Sequence, residues 1–169
     1  MDPIKINSIT DVFDLFEKTL AEGVEKLQQA DRVTVERLFS IPDDNYMLKP
    51  PKGTYGIMNS GTNYSKRDSA RVTQLDQDIL MSVVSIIRFT DNGMQTVDKV
   101  KRFGMMPAEY PDYAVDLLTG IEIFSTRPVA DRKIIPIKTD LVNEKNGLWI
   151  YVTTFSVPKD FIELNLRQK

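Results

Sequence analysis

Two carboxylates on alternate residues, Asp76 and Asp78, are the nearest thing in this sequence to a reacting site. On one face of a strand such a pair could share a proton for acid–base work or hold Mg²⁺. No third ligand is recognisable beside them, and Asp43-Asp44 is an equally anonymous pair. A solvated rim, or ion-pairing with a neighbouring subunit, accounts for Asp76 and Asp78 with fewer assumptions. Two glycine clusters carry hydroxyls, Gly53-Thr54-Tyr55-Gly56 and Ser60-Gly61-Thr62. Neither has the Gly-Lys-Ser/Thr ending of a phosphate loop, and neither leads into a helical pattern, so both read as turns. Lys66, Arg67 and Arg71 beside Tyr64 have the residue types of a nucleic-acid patch. The same residues suit a solvated tip or a protein interface, where Arg and Tyr are enriched.

Composition narrows the chemistry further. The 169 residues include no histidine and no cysteine. Thiol nucleophiles, thiolate metal sites and disulfides are therefore absent, as is the one side chain whose ordinary pKa lies near neutrality. Carboxylate, Lys or hydroxyl chemistry remains, or none, and no cofactor is expected. With 22 Lys+Arg against 24 Asp+Glu, the net charge of −2 gives no basic excess for binding phosphates. Hydrophobic residues at 41% and charged residues at 27% match an ordinary globular domain with one core. No stretch approaches the roughly 20 apolar residues of a membrane span, and the start lacks the pattern of a signal peptide. The expectation is a protein that stays in the cytoplasm, or is assembled into something there, with no membrane partner.

The elements that must position these residues are legible from periodicity. Ser8 or Thr10 can cap a helix, and Val12, Phe13, Phe16, Leu20, Val24 and Leu27 recur at three- and four-residue spacing to about Ala30. Arg32–Phe39 alternates as a strand, and prolines 42, 50 and 51 make the next stretch a surface connection. Tyr55–Met58 is a short apolar run. The polar segment from Asn59 to Ser69 reads as a loop or a projecting hairpin tip. Val72–Phe89 predicts a long central strand, with Leu75, Ile79, Met81, Val83 and Ile87 on one face. On the other face Asp76 and Asp78 give way to Leu80, Val84 and Ile86, so both sides of the far half should be covered. Two short helices follow, Met94–Phe103 and Asp112–Thr119, the second closed by Gly120. Lys133–Val142 and Leu148–Val157 flank an Asn146-Gly147 hairpin signal, and Trp149 and Tyr151 are expected in the core. Residues 158–169 form a C-terminal tail in which Phe161, Ile162, Leu164 and Leu166 sit among charges, suited to docking on this domain or on a neighbour. The order predicts one α+β domain over residues 1–169. Its mostly antiparallel sheet should carry an N-terminal helix and short helices packed mainly on one face.

Several of these segments together resemble a family. They are Gly53-Thr54-Tyr55-Gly56-Ile57-Met58 entering a strand, the polar segment with Ser65-Lys66-Arg67, the strand Ile79–Arg88, and Leu117-Leu118-Thr119-Gly120. The last is Asn146-Gly147-Leu148-Trp149-Ile150-Tyr151-Val152-Thr153-Thr154-Phe155. The set is similar to the Mu-like phage tail protein family, whose small members resemble tail terminators of contractile-tailed phages. That family closes a helix with Leu-x-Gly and ends on a Gly-x-Trp-x-Tyr-x-x-x-Phe hairpin, matched here at Gly147, Trp149, Tyr151 and Phe155. The stretch Phe103–Pro111 departs from it by adding a helical piece. The resemblance implies a virion protein, not an enzyme, assembled in the host cytoplasm. It would form a homohexameric ring on the head-proximal end of the tail tube, stopping tube polymerisation and joining tail to neck. Implied partners are further copies of itself, the tail tube protein, the tail sheath protein and the neck or connector proteins, with DNA passing through unbound. The expected subunit contacts are Tyr64, Lys66, Arg67, Arg71, Asp76, Asp78, Phe161 and Leu164. The alternatives are another neck, connector or sheath-associated subunit, or a Mg-dependent carboxylate enzyme.

Overall fold

Ser8 starts the first helix with both halves of a capping box. Its Oγ accepts the Asp11 N–H at 3.3 Å, and Asp11 Oδ2 accepts the Ser8 N–H at 3.1 Å. These bonds occupy donors that have no partner inside the helix. In the computed structural model, which describes residues 2–42, 52–68, 73–89, 104–124 and 133–158, this helix (α1) spans Ile9–Glu25. Val12, Leu15, Phe16, Leu20 and Val24 are its buried stripe. It stops short of the expected Ala30. The Lys26 and Leu27 amides turn back three residues to Gly23 and Val24, and the Arg32 side chain donates to the carbonyls of Glu25 and Leu27. A single 3₁₀ turn, Gln29–Asp31, follows.

The strands are β1 (Ile4–Lys5), β2 (Thr34–Arg37), β3 (Gly53–Asp68), β4 (Thr73–Arg88), β5 (Ile123–Phe124), β6 (Ile135–Asn143) and β7 (Leu148–Pro158). A second helix, α2, spans Glu109–Leu118. Five strands form a sheet in the order β2-β3-β4-β7-β6, antiparallel throughout except for the parallel β2–β3 pair. The expected α+β class is the one observed. β4 lies at the centre, as its two apolar faces require. β1 and β5 form a separate two-stranded parallel ribbon that the sequence did not signal.

Both described helices pack on one face of the sheet. There Phe16, Leu20, Tyr110 and Leu118 meet Tyr55, Ile57, Met81, Val83 and Phe155 in one buried cluster. Phe16 and Phe155 stack edge to face, 5.8 Å between centroids. The opposite face has its own smaller cluster of Val84, Ile86, Leu148, Ile150 and Val152. Register explains it, because Val84 pairs with Val152 and Ile86 with Ile150.

Four expectations need correction. Of the two readings of the polar segment from Asn59, the loop fails and the projecting hairpin is the one observed: Asn59–Asp68 is strand, part of β3 paired with β4 except at the bulge at Ser60. β2 is shorter than Arg32–Phe39, and Phe39 beyond its end is fully exposed. α2 begins at Glu109, earlier than Asp112, because Pro111 falls in the first turn, where its missing N–H costs nothing. Trp149 and Tyr151 are half-buried and belong to neither cluster, whereas Leu148 and Ile150 on the other face are enclosed. The expected helix Met94–Phe103 lies outside the described residues, as do the tail residues after Pro158. The Asn146-Gly147 hairpin turn forms as read, with φ of 60° and 70° at the two residues.

A relay of phenols ties the layers together. Tyr55 OH donates to the Tyr110 carbonyl at 2.6 Å, and Tyr110 OH donates to the Asp31 carbonyl at 2.8 Å. Asp31 Oδ1 in turn accepts the Met105 N–H at 3.0 Å. Burial pushes both phenols well above their ordinary 10.0. A proton held more tightly in the folded than in the unfolded chain contributes stability that is complete below the unfolded pKa and is lost as pH rises above it. Thermal melts should therefore fall steeply above pH ~10. Tyr55→Phe, although less stable near neutrality, should show a shallower alkaline decline; equal slopes would mean that Tyr55 does not titrate out of a buried site.

Candidate functional site

The β3–β4 hairpin is longer than the sheet that holds it. β2 pairs with β3 only as far as Ile57, and β7 follows β4 only to the Asp78↔Pro158 pair. From Tyr64↔Gln77 to Asp68↔Thr73, the two strands have only each other among the described residues. At about 3.4 Å per residue this two-stranded arm extends roughly 17 Å past the sheet.

A bulge sets the faces of the arm. The register shifts between Asn59 and Gly61, leaving Ser60 as the extra residue; Gly61 takes a φ of +109°. Asn59 Oδ1 accepts the Gly61 N–H at 3.2 Å and closes the local turn. Ser60 Oγ meets Ser82 Oγ at 2.6 Å, and Ser82 meets Thr154 at 3.3 Å, a hydroxyl row across three strands. Before the bulge the odd residues Tyr55 and Ile57 share the helix-side face; after it the even positions Thr62, Tyr64 and Lys66 do, opposite Ile79, Gln77 and Leu75.

Of the expected contact residues, the fold brings five onto this hairpin. Tyr64 is 57% exposed. Lys66 shares its face by register, whereas Arg67, opposite Gln74, takes the face of Asp76 and Asp78. Asp78 is half-buried at the root of the arm, opposite Asn63. Arg71, Phe161 and Leu164 lie outside the described residues. The two carboxylates thus occupy alternate positions of one face, as their spacing implied. Among the described residues no three potential metal ligands gather, so a Mg²⁺ reading rests on two carboxylates alone.

A second surface was not found from sequence. Among the described residues β6 is an outer strand, and its residues are exposed along nearly its whole length, including Ile135, Ile137, Leu141 and Val142. Pro136 was the available signal, because a residue without an N–H is tolerated inside a strand mainly at an edge. Bulges at Ile137 and Val142 leave only Lys138–Leu141 in regular register with β7, and Lys138 pairs with Asp140 at 3.1 Å.

A groove of about 600 Å³ runs between β1 and α1. Two of its carboxylates are engaged elsewhere. Asp11 serves the helix cap, and Asp14 binds Arg37 at 2.5 Å. No convergent reacting set is built there. No described helix is long and apolar enough to cross a membrane. The fold and these surfaces define an α+β sheet domain with a projecting hairpin and an open apolar edge. No family model matches the sequence, and no curated protein matches it.

Proposed function

We propose that this protein is a structural subunit of a contractile phage tail, a terminator whose copies close into a homohexameric ring on the head-proximal end of the tail tube. The observation that carries the reading is the β3–β4 arm. A two-stranded ribbon without a core gains little stability alone, so a chain that extends one past its sheet has a use for it against another surface. Tyr64, Lys66, Arg67, Asp76 and Asp78 are all positioned on that hairpin. A ring needs different, complementary surfaces on each subunit, and the arm and the β6 edge are two such surfaces. A net charge of −2 suits a collar through which DNA slides, since clustered cations would hold phosphates. In this reading the subunit performs no catalysis. It meets the tube, the sheath and the neck proteins after assembly in the host cytoplasm.

Size-exclusion chromatography with light scattering, with and without purified tail tube, tests this. A species of ring mass is expected. A strict monomer at high concentration, with no ring on the tube, would refute it. Reversing charge at Lys66, Arg67 and Arg71 together should weaken closure while leaving the melt within a few degrees of wild type. Charge substitutions away from a packed core typically change stability within about 0.5 kcal/mol each. Assembly unchanged in that variant would move the contact away from the arm.

A further inference from the structure

The two ends of the sheet are complementary in length and direction. At one end β6 presents nine residues, Ile135–Asn143, with no strand beyond it among the described residues. At the other end β2 covers β3 only through Ile57, which leaves the outer side of Met58–Asp68 without a described partner strand. Within that stretch Asn59, Ser60, Gly61, Asn63 and Tyr64 are exposed.

We propose that the β6 edge of one subunit pairs antiparallel with the outer edge of β3 in the next copy of this chain. The sheet then continues from subunit to subunit. This inference rests on the ring reading above and names its contact. Strand directions support it. β4 runs against β3, β7 against β4 and β6 against β7, so β6 is antiparallel to β3. A neighbour placed head to tail in the same orientation therefore offers β6 an antiparallel partner. Its β6 would lie in line with β2, filling the place that β2 vacates after Ile57. Such a contact repeats with each copy and closes when the rotation per subunit allows it, whereas β6 against β6 would stop at a two-fold dimer.

The edge is also guarded against indiscriminate pairing. Pro136 removes one donor, and the bulges at Ile137 and Val142 interrupt the ladder at both ends. What remains regular is Lys138–Leu141, a short window that accepts a matched partner and disfavours long stacking. Ile137, Leu141 and Val142 are each about half exposed beside that window and become covered when a strand docks.

The absence of cysteine makes the test direct. Thr139→Cys marks β6, and Thr62→Cys or Tyr64→Cys marks β3 at two positions of the same face, so that a register slip of one pair is tolerated. Each single-Cys protein is oxidised alone and in equal mixture. A disulfide dimer that forms in a mixture, and in neither protein alone, is the expected result. If Thr139→Cys dimerises by itself, the edge contact is two-fold and the inference falls. If wild type forms rings by light scattering but no mixture cross-links, the inference falls and the ring reading stands. Monomer throughout, with tail tube present and no cross-link, overturns both.

Discussion

Phe16→Ala should lower the melting midpoint by roughly 10 °C, because a buried Phe truncated to Ala costs about 3–5 kcal/mol and each kcal/mol moves a chain of this size by about 2–4 °C. The ring is fully buried and meets Phe155 edge to face at the centre of the helix-side cluster. Phe155 sits on β7, whose backbone is paired on both sides, so the strand beneath the gap is held in place. The loss is a large share of the roughly 5–15 kcal/mol that holds a domain together. Phe16→Leu keeps most of the volume and should lose less than half as much. A midpoint shift of only a degree or two for the alanine variant would show that α1 is not docked through this residue.

Gly53→Ala is the second change with a large expected effect, and its cause lies in the backbone. Gly53 takes a φ of +148° where β3 begins, and a Cβ there would lie 2.0 Å from the Ile86 carbonyl oxygen. That oxygen belongs to β4, the central strand, so the obstacle cannot rotate away as a side chain could. Conformational strain and overpacking each cost about 1–3 kcal/mol, so a total on the order of 3 kcal/mol or more is expected. Gly61→Ala is the control. Its φ is +109°, but nothing stands within 4 Å of the position a Cβ would take. Urea unfolding of the two variants separates the contributions: Gly61→Ala reports strain alone, and the excess at Gly53 reports the clash. Equal losses would place Gly53 farther from Ile86 than described.

Several elements were readable because one physical signal dominated each. The apolar stripe of α1 and its Ser8 cap, the two-faced pattern of β4 and the Asn146-Gly147 turn all appear where their residues place them. The failures share a cause, which is that context outside the segment decided the outcome. Asn59–Asp68 allows a loop as well as a projecting hairpin because it is polar and because the bulge at Ser60 reverses its alternation; pairing with β4 decides for the hairpin and makes it strand. Trp149 and Tyr151 alternate like core residues, yet they are only half covered, on the face opposite the buried Leu148 and Ile150. β1 and β5 are two residues each, too short for any periodicity. The candidate surface was legible in part. Spacing placed Asp76 and Asp78 on one face, but no local pattern distinguishes an inner strand such as β7 from an outer one such as β6, apart from Pro136.

The small β1–β5 ribbon carries a consequence for the order of folding. Ile4 pairs with Ile123 and Lys5 with Phe124, partners separated by most of the chain. Closing so long a circuit demands entropy that only an already formed core can offset. The β3–β4 hairpin, whose strands are neighbours in sequence, has no such obstacle and can zip early. The N-terminal strand is therefore the seam that shuts last, and a chain shortened by its first few residues would reach a nearly complete nucleus yet leave Ile123 without the strand that covers it.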